Sequence, residues 1–317
     1  MEIKMDKVKR SHLLHFSSRK ATAFVIQLFF YVLLVSLAFV FLFPFLYMLI
    51  TSVKSYSDLI DTSVEWIVNE IHFRNYILSW KELNYPLHLF NSTIVTILST
   101  MGHLLSCAMA GYAFARYSYR YTNRLFLPVI ATMVIPIQTL IVPMYIIFVK
   151  IGIIDTFLPL ILPTFLGSGL KSGLFIFIFR QFFLTLPRSL EEAAEIDGCN
   201  CVKTYVRIAL PSASNSILVC AVLSVVWHYN DYYEPSLYLR KSELYLLPQV
   251  LPNVANLLDQ ISTGGGNAAL TATLNEDYHL GLIMASCVLV LLPLMIFYFI
   301  VQRWFMQGIE NSGITGE

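Results

Sequence analysis

Charged side chains are scarce in this chain: Asp, Glu, Lys and Arg make up 13% of its 317 residues, against 57% hydrophobic ones. So little charge cannot cover the surface of a water-soluble domain, and it assigns the chain to a bilayer. Net charge is lacking too. At +1 there is no long-range basic field to gather nucleic acid, which excludes a polyanion-binding protein. Cysteine is sparse, with five residues, at 107, 199, 201, 220 and 287. All lie in segments expected in the membrane or the cytoplasm, so no extracellular disulfide framework is expected. Cys199 and Cys201 form an isolated C-x-C without a second ligand pair, and read as ordinary small residues rather than a metal site.

A phosphate-binding loop is missing as well. The nearest fragment, Gly167-Ser168-Gly169-Leu170-Lys171-Ser172, has Leu170 between glycine and lysine and sits in a hydrophobic stretch, so it is no Walker site. No Ser/His/Asp set, H-E-x-x-H motif or paired-carboxylate constellation supports an enzyme. No internal repeat supports the inverted halves of a secondary transporter. The other half of any transport pathway would then come from a second chain.

What is present is a series of long apolar runs. A spanning helix needs about 20 mainly apolar residues, and six segments qualify: Ala21 to Ile50, a stretch within Leu83 to Ala115, Leu125 to Val149, about Leu158 to Phe179 with Lys171 inside it, a fifth from near Ser212 carrying Asp231 and Glu234 toward its far end, and Leu280 to Gln302. The first is too long for a cleavable signal peptide and reads as a retained anchor. With a cytoplasmic N-terminus, fourteen of the 21 Lys and Arg fall on the inside; the remaining seven are Lys54, Arg74, Lys81, Lys150, Lys171, Arg240 and Lys241. This bias places both termini and the loop around Glu192 in the cytoplasm. Pro44, Pro136, Pro143, Pro159 and Pro163 lie within or beside the runs and predict kinked, re-entrant packing.

The loop between the fourth and fifth runs interrupts the apolar pattern with Glu192-Ala193-Ala194-Glu195-Ile196-Asp197-Gly198, nine further residues, and Ile208-Ala209-Leu210-Pro211. Ser189, three residues before Glu192, predicts a capping box that opens a short helix. Early acidic residues suit its dipole. Gly198 predicts a left-handed stop, followed by a second helical stretch through Tyr205 to Pro211. The expected product is an L-shaped bracket on the cytoplasmic membrane face, kept slim on one side by Ala193 and Ala194. The bland reading is an amphipathic connector with solvated charges.

At every fixed position and both spacings, this loop resembles the E-A-A, G and I-x-L-P signature of the inner-membrane permease subunits of ABC importers. The resemblance implies an all-α membrane protein with six transmembrane helices, a type I ABC importer permease fold and cytoplasmic N- and C-termini. It implies a coupling helix in which Glu192, Ala193, Ala194, Asp197 and Gly198 dock into a groove on an ATP-binding subunit. No cofactor is expected in this chain, ATP-Mg being bound by the partner ATPase. It further implies a tail at 1–20, the first span and an extracytoplasmic segment at 21–86, a permease domain at 87–304 with its coupling loop at 188–211, and a tail at 305–317.

Further stretches narrow the branch. Asn91-Ser92-Thr93-Ile94-Val95, Ala110-Gly111-Tyr112-Ala113-Phe114-Ala115-Arg116, Ile135-Pro136, Pro143-Met144-Tyr145, Phe177 to Phe183, Leu292-Pro293 and Gln302-Arg303 are similar to the six-span, maltose-permease-G-like subunits of carbohydrate importers. The end at Ile314-Thr315-Gly316-Glu317 departs from relatives that have a lysine before a final glycine, which weakens the case for a tail contact with the ATPase. The partners so implied are a homologous second permease, an ABC ATPase dimer, an extracytoplasmic solute-binding protein, the lipid of a bacterial cytoplasmic (inner) membrane and a carbohydrate substrate; nucleic acid is not among them.

For the path itself, Trp227 lies 16 residues past Pro211, about 24 Å along a helix and hence in the outer half. Trp227, Tyr229, Asn230 and Asp231 combine ring faces for sugar stacking with groups that bond hydroxyls; the alternative is an aromatic belt at the interface. Lys171, nine residues before Arg180 and so about 13 Å from it, is expected near mid-membrane, paired with a carboxylate such as Asp231, facing an aqueous cavity, or snorkelling. The polar, glycine-containing segment 240–278 suits either a flexible surface for the binding protein or a passive linker. Three rival readings stay open: the same importer for a glycerol phosphate ester or another polar solute, a secondary transporter coupled to ions through Lys171 and Asp231, and a membrane subunit without transport.

Overall fold

A computed structural model describes residues 2–61, 63, 66–117, 120–169, 171–263 and 279–313. Every regular element among them is helical, as expected where a bilayer leaves the backbone no water to bond. The first helix, α1 (Glu2–Ser52), is apolar all round from Phe24, and its membrane-length window is wholly unburied within this chain. A helix of that kind finds its surroundings in lipid or another protein. After it come α2 (Tyr56–Ile60), α3 (Arg74–Glu82), α4 (Tyr85–Arg116), α5 (Thr122–Val134), α6 (Ile137–Ile151), α7 (Leu158–Phe165) and α8 (Ser172–Thr185). The short elements α9 (Arg188–Ile196), α10 (Cys201–Thr204), a π-helical turn (Tyr205–Ala209) and α11 (Leu210–Ser212) follow. The chain continues with α12 (Ser214–Asn230), α13 (Tyr233–Tyr238), α14 (Leu247–Thr263) and α15 (Leu280–Gly313).

Three stretches are long and apolar enough to cross alone, Phe24–Ser52, Tyr85–Arg116 and Leu280–Trp304, and the number rises to as many as six if each of three bent pairs is one span. The pair α5 and α6 bends by 102° at Ile135-Pro136, where Pro136 removes a backbone donor and forces Ile135 out of the helical region. Of the prolines expected to kink the packing, Pro136 therefore does so, whereas Pro44 and Pro143 lie inside continuous helices.

The fourth run needs correction. Instead of a helix from Leu158 to Phe179, α7 stops at Phe165 and α8 starts at Ser172. Between them Gly167, Gly169 and Lys171 all take left-handed conformations, with φ of +67°, +104° and +64°. Hydropathy alone does not reveal such a break, because the residues around it remain apolar. Lys171 consequently sits at the N-cap of α8, not inside a continuous span. In the segment 240–278, residues 247–263 form a helix in place of an irregular chain, whereas Gly264-Gly265-Gly266 and Ile314 to Glu317 lie outside the described residues.

The core is built around α4. Phe175, Phe179 and Phe183 repeat every four residues down one face of α8 and are fully buried against Cys107, Ala108, Tyr112 and Ala115 of α4. Gly111 makes this approach possible: a β-carbon there would lie 2.6 Å from Cβ of Phe179 and 2.9 Å from the backbone N of Arg180. Small residues at helix crossings in membranes do this work in place of a hydrophobic drive. A second cluster joins Tyr229 of α12 to α14 and α15. The Tyr85 hydroxyl donates to Leu289 O at 3.0 Å and that of Tyr229 to Val290 O at 2.8 Å. Outside the spans, Asn75 Nδ2 donates to Ser52 O and Lys54 O, both at 2.9 Å, and Ser79 Oγ to Leu282 O at 3.1 Å, tying segment 53–83 to the ends of α1 and α15.

Candidate functional site

The bracket forms where two bends of 75° separate α8 from α9 and α11 from α12. The first helix opens differently from the capping-box expectation. Pro187, extended at φ −59° and ψ 130°, occupies the N-cap position with no side-chain cap, and α9 begins at Arg188. Ser189 is thus already helical, because Pro187 holds Leu186 in extended backbone and fixes the start of the helix two residues before the serine. The far end is as expected: Gly198 has φ +79°, and Gly198 N and Cys199 N bond Glu195 O and Ala194 O at 3.0 and 2.9 Å, an end that suits a left-handed residue. Asn200 then caps α10, its Oδ1 accepting from Lys203 N at 2.9 Å.

Of the five predicted coupling residues, Ala194 is turned inward at 4% exposure. Glu192, Ala193, Asp197 and Gly198 face solvent. Hydrophobic side chains accompany them outward, with Ile196 87% and Val202 69% exposed. These two were not singled out from sequence, where they read as internal positions of short helices. The bracket thus presents a mixed apolar and acidic edge.

The second region is a cavity of about 610 Å³ between the α5–α6 bend, the α7–α8 break and the C-terminal end of α12. Lys171 and Trp227 both line it, the ammonium 5.7 Å from the Trp227 ring centroid, a cation–π arrangement. Glu234, not chosen as a path residue from sequence, lines it as well. Tyr229, Asn230 and Asp231 are not among its lining residues. Tyr229 is buried in the second cluster, Asn230 Nδ2 donates to Val226 O of its own helix at 2.9 Å, and Asp231 Oδ1 accepts from Tyr233 N at 3.0 Å, at the start of α13. Among the described residues no carboxylate forms a salt bridge with Lys171. Of the three settings considered for it, the cavity is the one the structure displays.

A polar knot behind the cavity also escaped the sequence reading. His103 of α4 meets His228 of α12 at 3.2 Å and Ser172 of α8 at 2.9 Å, while Thr100 Oγ1 donates to Ser224 Oγ at 3.0 Å. All five are buried, so three spans are joined by groups that have no water to bond instead. An ionisable residue in an otherwise charge-free span was the available signal for His103.

A family model described as the binding-protein-dependent transport system inner membrane component matches residues 102–311. The chain belongs to this family. It is the inner-membrane permease component of a binding-protein-dependent transport system, as the signature around Glu192 led us to expect. Similar proteins include the arabinooligosaccharides transport system permease protein AraQ of Halalkalibacterium halodurans, 27% identical over 88% of this chain and 93% of that protein. The lactose transport system permease protein LacG of Rhizobium radiobacter is 24% identical, over 87% of this chain and 92% of its own. The sn-glycerol-3-phosphate transport system permease protein UgpE of Yersinia pestis is 26% identical, over 72% and 74%. In fold the permease is similar to a chain of a bacterial ABC transporter involved in the import of the acidic polysaccharide alginate, with a TM-score of 0.72 over 89% of this chain and 96% of that one at 20% identity.

Proposed function

We propose that this permease is one transmembrane half of an ATP-driven importer of sugars or oligosaccharides. It pairs with a homologous second permease, takes substrate from an extracytoplasmic solute-binding protein, and is driven by an ATPase dimer that holds ATP-Mg. The observation that carries the reading is the outer face of the bracket. Glu192 and Ala193 are exposed beside Ile196, while Ala194 turns into the chain, so the bracket offers a narrow apolar and acidic edge that suits a cleft on the ATPase. Closure of the ATPase pair would displace the bracket and rock the two permeases between inward-facing and outward-facing states. Sugar as cargo is favoured by the names of AraQ and LacG, and Lys171 with Trp227 at the cavity forms a candidate part of the path.

A second cargo class has its own support: UgpE is named for sn-glycerol 3-phosphate, and a cavity lined by Lys171 suits a phosphate ester. An ion-coupled transporter lost its main argument when Lys171 and Asp231 proved to be engaged separately. The test is to purify the tagged permease from its native host in mild detergent, identify what accompanies it, and assay ATP hydrolysis with an arabino-oligosaccharide, lactose and sn-glycerol 3-phosphate. Recovery of an ATPase, a second permease and a binding protein, with hydrolysis stimulated by one of the sugars, is the expected result. Stimulation by the phosphate ester alone would move the cargo to the second class, and a permease that travels alone without ATPase would end the importer reading.

A further inference from the structure

Arg116 is the last residue of α4, and its guanidinium lies under the elbow where α8 turns into the bracket. Its Nη2 donates to Leu186 O at 2.6 Å, in the linker itself. Its Nε stands 2.8 Å from Glu191 Oε1 in the first turn of α9, close enough for an ion pair though not aligned as a hydrogen bond. Both side chains are largely withdrawn from solvent, at 6% and 16% exposure. Each charge also sits at the helix end whose dipole it complements, a cation at the C-terminus of α4 and an anion at the N-terminus of α9. The neighbouring residues of α4 touch the other arm of the bracket. The Tyr112 ring is 5.0 Å from that of Tyr205, and just past the end of α4 the proximity of Cys201 holds the Tyr117 phenol above its ordinary pKa.

We infer that Arg116 and Glu191 are positioning residues for energy coupling: their pairing welds the bracket to α4, so that displacement of the bracket is delivered to α4 as a rigid body. The inference rests on the bracket being the coupling element. The chemistry favours arginine at this point, because its rigid planar fork spreads donors from Nε to Nη2 and so spans a carbonyl and a carboxylate, whereas an ammonium offers its donors from a single point. Removal of either partner leaves the other charge withdrawn from water and uncompensated. The receiving end of α4 is the knot at Thr100 and His103, about 20 Å away along the helix, which bonds Ser172 at the cavity's edge. The bracket and the cavity therefore share one rigid element, and the proposed coupling needs no contact between them.

The experiment is hydrogen exchange, followed by mass spectrometry, on the complex co-purified from the native host, at rest and trapped with ATP and vanadate. At rest, Arg116→Gln and the double variant Arg116→Gln/Glu191→Gln are expected to exchange roughly 5- to 30-fold faster across residues 188–204, with Arg116→Lys between them and the parent. On trapping, the parent should change in the bracket and in residues 98–116, whereas Arg116→Gln should change in the bracket alone, a loss of transmission that simple loosening of the fold does not mimic. If Arg116→Gln does not assemble, Arg116→Lys carries the same comparison. Bracket exchange equal to the parent's at rest, or an α4 response to trapping that survives the substitution, overturns the inference. A parent complex with no response to ATP and vanadate overturns the coupling reading instead, while the resting comparison still decides whether Arg116 holds the bracket.

Discussion

The bracket and the cavity are both formed at breaks between apolar helices, yet they are made in opposite ways. The bracket is continuous in sequence: Pro187, Gly198 and Asn200 start, stop and restart short helices within 14 residues of one another, each through its own backbone preference. The cavity draws on α5, α6, α7, α8, α12 and α13, and no residue near it announces the others. A glycine has a different meaning in each place. At Gly198 a β-carbon would meet nothing within 4 Å, and the requirement is the positive φ. At Gly111 the backbone is ordinary helix and the requirement is space.

Substitutions that separate conformation from space sharpen this contrast, beginning with the largest expected effect. Gly111→Leu drives a side chain into α8, where overpacking costs about 1–3 kcal/mol or more; the permease should fail to accumulate in assembled complexes, as read by yield after gentle extraction. Assembly at the parent's level would show that the crossing of α4 and α8 is not close. Gly198→Val should leave insertion and assembly intact, while strain of about 1–2 kcal/mol at the left-handed position distorts the bracket and separates ATP hydrolysis from uptake. Normal coupling in that variant would reduce Gly198 to a connector. For Glu192→Lys, which reverses an exposed charge on the proposed docking edge, the same dissociation of hydrolysis from uptake is expected.

Lys171→Met should lower uptake several-fold without loss of complex, since it removes the cavity's cation. Lys171→Gly tests the alternative that only the φ of +64° matters, and uptake restored in the glycine variant alone would favour backbone over charge. The smallest effect is expected from Asn200→Ala. Loss of that cap costs about 1 kcal/mol, visible as faster exchange of the Lys203 amide with uptake reduced less than about fivefold, a factor worth about 1 kcal/mol.

How much could be read in advance follows the same division. Gly198 and the order of short helices after it were legible because a positive φ and an N-cap depend on neighbours one to four residues away. Ser189 misled because Pro187 outcompeted it as the starting residue. Hydropathy carries the fourth run through Gly167 and Gly169, because it averages over a window and conceals backbone reversals. Asp231 and Tyr229 looked like path residues by chemical type, but one serves the start of α13 and the other packs against α15. Glu234 and Arg116 are not legible in the sequence, because what they face lies far away in the chain.

The amino-acid sequence by itself determined that this chain belongs in a membrane, that its runs are helical, and that a short exposed bracket of the importer-permease kind lies between two of them. Those properties depend on composition and on local backbone preference. Only the tertiary structure decided which face of each helix is occupied, that Lys171 meets Trp227 and not Asp231, and that Arg116 reaches Glu191. Inside a bilayer a polar group must bond whatever the packing brings within about 3 Å, and packing is a property of the assembled helices.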